Sequence, residues 1–548
     1  MRPSFPITKR NLLITSLAAS FLIYLANSSV QTADPNGVGT DLYFAQAVAH
    51  GQIPLHDFND NYGPLMNYFN ALMMRTFGFD IHSLIAGKII LKTVSSGLFF
   101  LAASRIMPIL FALLASLAFT VFTPDFTHNI KSYAIICVET GSLWAILSYF
   151  ASAHKKYLKW AILFIAVLGL IKINFGVAIL GSSFISFFII DLFKHKKALL
   201  ESLITYSLLS VLIISVWIFV YYFHIKGLTF NEIQQCLPFL NNFAYHDGSF
   251  SDGLINSIKS AIFNPSPDQF QTAVKFILFA AIIRLASRLI SHYCCAQRFT
   301  ALHSNCTLIT IALLTCFVAS NNEFYIGGAD YESFYARPFA IMLMAYLISE
   351  ASLISTFFVQ IPLYLFFSVA IIMNVYSNWK ELDPYKDQDH FFGYKGMNTH
   401  VTNDPRDMRT MIQTADYIDK NISPNQTFFA FPNDGIYYFL SGKSAPTRLI
   451  FLTHVEKINT EQEIDLINTL ERKKNRYIVL DNICYFGRAY DDFGVFGQDN
   501  CPLLNKYMNK YFEEVANFGN IPGAPVGTKI FKKKTSAFIT IRTPSDLD

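Results

Sequence analysis

The chain has 548 residues, 52% of them hydrophobic and only 15% charged, with a net charge of +4. Ordinary globular chains carry about 25% charged residues, and the mean hydropathy here is +0.34. These values exclude a disordered chain, a coiled coil and a collagen-like fibre; they argue against a wholly soluble protein, and so small a net charge argues against a nucleic-acid partner.

The apolar runs lie between residues 11 and 377 and stop after Ser377. A bilayer core needs roughly 20 apolar helical residues per span. The first run, Asn11 to Val30, follows Arg2, Lys9 and Arg10. Its length and the spans that follow favour an uncleaved helix over a signal peptide. Further spans are expected at 82–103, 107–123, 132–152, 160–172, 174–193, 199–223, 271–290, 303–320, 336–352 and 354–377, about eleven in all at the usual span length.

Basic residues set the orientation. Arg105, Lys155, Lys156, Lys159, Lys194, Lys196, Lys197, Arg284, Arg288 and Arg298 fall in the same set of breaks as the N-terminus. The alternate breaks hold only scattered cations such as Arg75, Lys131, Lys226 and Lys259. The N-terminus is therefore expected in the cytoplasm, with the tail across the membrane. The expected setting is the bacterial inner membrane, with a periplasmic tail; in a eukaryote the tail would be lumenal.

Two domains are expected: a membrane part at 1–377, with a far-side loop at 31–80, and a soluble α/β tail at 378–548. In the tail, helices are expected at 410–421 and 461–474, and strands at 427–431, 477–481, 529–532 and 538–542. Cys484 and Cys501 are the tail's Cys residues. In an oxidising compartment they are expected to pair, a loop worth about 3 kcal/mol in the chain-entropy model. Cys294 and Cys295 are expected as cytoplasmic thiols.

The loop at 31–80 carries the densest chemistry. Asp34, Asp41, Asp57 and Asp60 gather there with His50, His56 and Tyr62. Leu42 to Ala49 has helical periodicity, with Asp41 as its N-cap, and Met66 to Phe77 reads as an interfacial amphipathic helix. A carboxylate here could act as a general base on an acceptor hydroxyl or as a ligand for a divalent cation. The plainer alternative makes Asp41 a cap and Asp57 and Asp60 turn residues. His50, His56, His246 and His303 show no metal-ligand spacing. No cofactor is defined by motif; a divalent cation is the one such an acidic loop could hold.

Cations within or beside spans form a second group. Lys172 lies between two apolar runs, Lys88 and Lys92 share one face of the second span, and Arg337 opens a later one. Each could hold a lipid phosphate, where negative charge builds as a sugar–phosphate bond breaks, or could snorkel to the headgroups. Glu139 is intramembrane and is expected to pair with one of these cations.

The order first helix, Asp41-Leu-Tyr-Phe-Ala, Gly51-Gln-Ile-Pro54, Asp57-Phe58, Tyr62-Gly-Pro-Leu65 and Phe77-Gly78 resembles the opening of GT-C superfamily glycosyltransferases. In the tail, Phe431-Pro-Asn-Asp434 through Gly442 to Arg448 resembles a segment of bacterial members. The resemblance implies a polytopic helical enzyme that uses a polyprenyl-phosphate sugar donor. It places the catalytic base at Asp41, with Asp34 as competitor, and a second acidic position at Asp57. Asp34, Asp60, His56 and Tyr62 are acceptor or metal candidates; Lys172, Arg337, Lys92 and Lys88 are donor-phosphate candidates. Asp41-Leu42 replaces the acidic pair of protein O-mannosyltransferases, which favours a glycan or glycolipid acceptor over a protein. The rival readings are a transporter or flippase, and a non-catalytic assembly protein on the same fold.

Overall fold

A computed structural model describes residues 8–27, 30–31, 35–60, 62–122, 130–195, 197–236, 305–320, 335–354, 380, 386–401, 405–432, 434–450, 452, 458–481, 496–497, 501–519, 527–534 and 540–547. Asp34, His246, Cys294, Cys295, His303, Cys484, the expected span 271–290 and nearly all of 354–377 lie outside these residues.

The membrane part is a bundle of apolar helices: α1 (Lys9–Asn27), α4 (Ile81–Ala103), α5 (Ile109–Phe122), α6 (Ile130–Ser152), α7 (Lys155–Ile171), α8 (Ile173–Phe193), α9 (Leu199–Ile225), α11 (Asn305–Ser320) and α12 (Arg337–Ile354). Four of them, α4, α6, α8 and α9, are long and apolar enough to cross a bilayer, and α5, α11 and α12 contain shorter apolar stretches. The chain is an integral membrane protein. α6 is central, with nearly all of its residues from Ile130 to Phe150 buried. α9 is the most apolar of the four, yet little of it is buried. Leu200, Leu208, Ile218 and Phe219 project outward from it, as residues facing lipid do.

Small hydroxyl residues let three helices approach closely. Ser16 and Ser20 of α1 pair with Ser116 and Thr120 of α5, each at 2.8 Å, and Thr120 reaches Ser96 of α4 at 2.9 Å. The four-residue spacing keeps these groups on one helix face. Between α7 and α8, Lys172 adopts extended backbone, so the expected spans 160–172 and 174–193 meet at a sharp break.

Two helices of the loop at 31–80, α2 (Pro35–Ala49) and α3 (Leu65–Phe77), lie against the bundle, and α10 (Phe230–Cys236) follows α9. α2 begins six residues before Asp41, so Asp41 is not the N-cap expected from the sequence but an interior residue. Proline is well suited to a first helical position, because its missing N–H would be unpaired there.

The tail contains α13 (Pro405–Asn421), α14 (Gly435–Ser441), α15 (Thr460–Arg472) and α16 (Pro502–Tyr511). α13 buries Met408, Met411, Thr414, Ala415 and Ile418, the helical stripe that its sequence spacing gives. α15 opens with a capping box: Gln462 N donates to Asn459 Oδ1 and Asn459 N donates to Gln462 Oε1. A four-stranded sheet has the order β4 (Phe429–Phe431), β5 (Tyr477–Asp481), β7 (Thr528–Lys533), β6 (Phe512–Phe518). β4 and β5 are parallel; β7 is antiparallel to both β5 and β6. The strand expected at 538–542 is absent from its described part. Ile541 exchanges both backbone hydrogen bonds with the Asn468 carboxamide instead of a neighbouring strand. Cys501 is a buried free thiol, pushed up to about 12 by burial.

A second, three-stranded sheet ties the end of the first helix to the tail. β1 (Val30–Gln31) runs parallel to β3 (Thr399–Val401), which pairs antiparallel with β2 (Phe391–Phe392). One apolar core joins Leu42 and Phe44 of α2, Met74 of α3 and Ile81 of α4 to Met408, Met411, Ile436 and Tyr438 of the tail. A Cβ added at Gly39 would strike Ile436, so glycine allows α2 to seat on α14.

Candidate active site

Seating α2 between the bundle and the tail turns Asp41 inward. Asp41 is 5% exposed and Asp60 2%, and both face Lys131, 3% exposed, in the first turn of α6. Lys131 Nζ lies 3.1 Å from Asp41 Oδ1 and donates to Asp60 Oδ1 and Oδ2 at 3.0 and 2.8 Å. Asp60 also accepts from Asn67 Nδ2 at 2.7 Å and from Tyr62 N at 3.1 Å. Its two oxygens are thus fixed by three groups, whereas Asp41 meets its donor through Oδ1.

Loss of hydration pushes the Asp41 carboxyl up to about 6; Lys131 opposes the shift and the charge of Asp60 adds to it. A carboxylate in that range can accept a proton near neutral pH and still be ionised before it does so.

The loop backbone anchors Tyr62. Gly63 N donates to Ile171 O at 2.6 Å, and a Cβ on Gly63 would strike Leu170 O. Tyr62 is thereby held between two cations, its ring 4.9 Å from Lys131 Nζ and 4.5 Å from Lys172 Nζ. Lys172 also faces the Phe175 ring at 5.7 Å, and Phe175 packs on Tyr335 with ring centroids 4.6 Å apart. The Tyr335 hydroxyl lies 3.0 Å from Ser132 Oγ, next to Lys131. The entry to α12 therefore stands beside the first turns of α6 and α8. Arg337, two residues on, donates to Phe122 O at 3.0 Å. Lys88 and Lys92 flank the Tyr133 ring at 5.3 and 4.9 Å, and Lys92 also faces Tyr24 at 4.2 Å.

The structure thus brings together Asp41, Asp60, Tyr62 and Lys172 of the residues singled out in the sequence. Asp57 is placed differently: its carboxylate accepts from Ile53 N at 2.7 Å and pairs with His56 Nδ1 at 2.8 Å. It closes a half-exposed turn. Glu139, expected to pair with a cation, instead accepts from Ser320 Oγ at 2.8 Å.

Two residues escape a sequence reading. Lys131 counts there only as one scattered far-side cation. Arg448, from the tail, donates through Nε to His56 O at 2.7 Å and through Nη2 to Leu55 O at 2.6 Å. It also pairs with Glu232 at 3.3 Å, and its own carbonyl accepts from Asn59 N at 2.9 Å. It brackets the loop just before Asp60. Its place in the tail segment Pro446-Thr-Arg448 was the available signal.

No group of three or more His, Cys, Asp or Glu side chains among the described residues could hold a metal ion. At the Asp41–Asp60 pair, the Lys131 ammonium lies where a shared cation would bind, so these residues do not fit a divalent ion.

No protein-family model and no curated relative matches the sequence. Among solved structures, the chain is similar to the Archaeoglobus fulgidus oligosaccharyltransferase in complex with Zn and sulfate, with TM-score 0.54 and 12% identity over 91% of this chain and 71% of that one. The same archaeon's oligosaccharyltransferase AglB, in complex with an inhibitory peptide and a dolichol-phosphate, gives TM-score 0.48 and 11% identity over 95% and 74%. ArnT from Cupriavidus metallidurans, in the apo state, gives 0.40 and 9% over 95% and 98%. These neighbours are GT-C superfamily glycosyltransferases. The fold this chain shares with the first of them is the one that the resemblance in its sequence implies.

Proposed function

We propose that this chain is a membrane glycosyltransferase that moves a sugar from a polyprenyl-phosphate donor to a cell-envelope glycan or glycolipid on the non-cytoplasmic face. The observation that carries the reading is the buried Asp41–Lys131–Asp60 cluster at the bundle's loop-covered end, one aromatic ring from Lys172. The shared fold supports the same reaction class.

In the proposed step, the acceptor oxygen attacks the anomeric carbon and inverts it. The acceptor proton passes to the Asp41 carboxylate as the new C–O bond forms. The bond from the anomeric carbon to the phosphate oxygen breaks, and polyprenyl phosphate leaves with the electron pair. Lys131 and Asp60 hold Asp41 in place. Lys172 supplies positive charge where the leaving phosphate gathers negative charge; Arg337, Lys92 and Lys88 line the lipid's approach. Asp57 shapes the loop that meets the acceptor.

Purified protein incubated with radiolabelled polyprenyl-phosphate sugars and an envelope glycolipid fraction tests this. Label should move to the acceptor, and should stay on the donor with the Asp41→Asn variant. Donor crossing vesicles with no transfer would favour a flippase; neither transfer nor crossing would favour an assembly protein.

A further inference from the structure

We propose that Lys131 is a built-in cation that takes the place of a divalent metal between Asp41 and Asp60, so that this site works without one. The proposal deepens the reading above and rests on it for its chemistry. A hard divalent ion binds carboxylate oxygens at roughly 2.0–2.6 Å and takes six or more oxygen ligands. Here the gap between the two carboxylates holds an ammonium 2.8 to 3.1 Å from three of their oxygens.

The rest of the shell suits a monovalent cation. Phe44 and Tyr62 turn their rings to Nζ at 5.3 and 4.9 Å, and π faces stabilise an ammonium but are not hard oxygen ligands. Both Asp60 oxygens are directed at N–H donors, from Asn67 and Tyr62 as well as Lys131. A metal entering the gap would have to expel Lys131 or sit against it. Like charges a few ångströms apart in a buried site repel strongly, and a divalent ion doubles the repulsion.

Removing the ammonium would leave two buried carboxylates without a counter-charge, a pair that would recruit a cation. The experiment follows free Mn²⁺ by electron paramagnetic resonance, together with the Mn²⁺ dependence of thermal unfolding, on the full-length protein in detergent. Wild-type protein should leave the Mn²⁺ signal unchanged, and neither Mn²⁺ nor EDTA should move its Tm. Lys131→Met, which keeps the length without the charge, should bind Mn²⁺ at least about tenfold more tightly and gain Tm with it. The added Asp41→Asn change should abolish both effects.

The proposal is overturned if wild-type protein immobilises Mn²⁺ and Asp41→Asn removes that binding, or if folded Lys131→Met takes up none. Should Lys131→Met fail to fold, the wild-type and Asp41→Asn measurements decide alone. These readouts need no sugar transfer, so failure of the glycosyltransferase reading would appear separately, as a donor left unconsumed.

Discussion

Asp41 and Asp57 are carboxylates of the same loop, yet burial separates their chemistry. Asp41 is buried and raised to about 6 by desolvation, whereas Asp57 is half exposed and spends its oxygens on a turn. The active form of a base is the ionised one. Turnover should therefore hold above pH 6 and fall about tenfold per unit below it, and a pH series of kcat/KM on purified protein checks this. An acidic limb near pH 4 would mean that the working carboxylate is a solvated one. Lys131 touches both carboxylates of the pair. Removing one partner of a buried ion pair typically costs about 3–5 kcal/mol, so Lys131→Met should lower the thermal midpoint far more than Lys88→Met, read by fluorescence in detergent. The pair was not legible in the sequence. Lys131 and Asp60 are 71 positions apart, and a lysine at a span's edge looks the same whether it snorkels or pairs.

At the scale of elements, the spans were readable because a bilayer demands long apolar runs. Those at 82–103, 132–152 and 199–223 lie within two residues of the helices observed. The start of α2 was not readable. Pro35-Asn-Gly-Val-Gly has turn composition, and its helical state is favoured by the seat that Gly39 gives on α14. Gly39→Leu should unseat that helix and destabilise by about 1–3 kcal/mol, seen as a lower Tm; an unchanged Tm would show that α2 does not bear on the tail. The loop before Asp60 is held in a similar way. Leu55 is buried with φ +67, a backbone state that costs an L-residue roughly 1–2 kcal/mol, and Arg448 binds its carbonyl. Arg448→Ala should free residues 55–59, giving faster protease cleavage there and a raised KM with little change in membrane insertion.

At the scale of the molecule, residues from both sides of position 377 share one core. α2 shares a core with α13 and α14, so the tail and the loop at 31–80 pack as one layer over the ends of the apolar helices. Residues 378–548 expressed alone should expose the faces around Met408, Ile436 and Tyr438 and elute as aggregate in size-exclusion chromatography. The same packing requires loop and tail to share one side of the membrane. Alkaline phosphatase fused after Asn378 should be active in a bacterial host and silent after Lys156 or Lys197; activity at Lys197 would reverse the orientation. The sequence pattern displayed the apolar helices, but docking between segments hundreds of residues apart leaves no periodic trace.

The most direct test of the central claim is single-turnover transfer by Asp41→Asn, with Asp57→Asn as comparison, using saturating polyprenyl-phosphate sugar. Asparagine keeps the size and much of the hydrogen bonding of Asp41 but cannot take the proton. Loss of a positioned base typically costs 10²–10⁴-fold, so the account predicts a fall of about 10²-fold or more for Asp41→Asn with donor binding retained. Asp57→Asn should act mainly on acceptor KM. Transfer by Asp41→Asn at the wild-type rate would contradict the account and leave Asp41 a structural partner of Lys131.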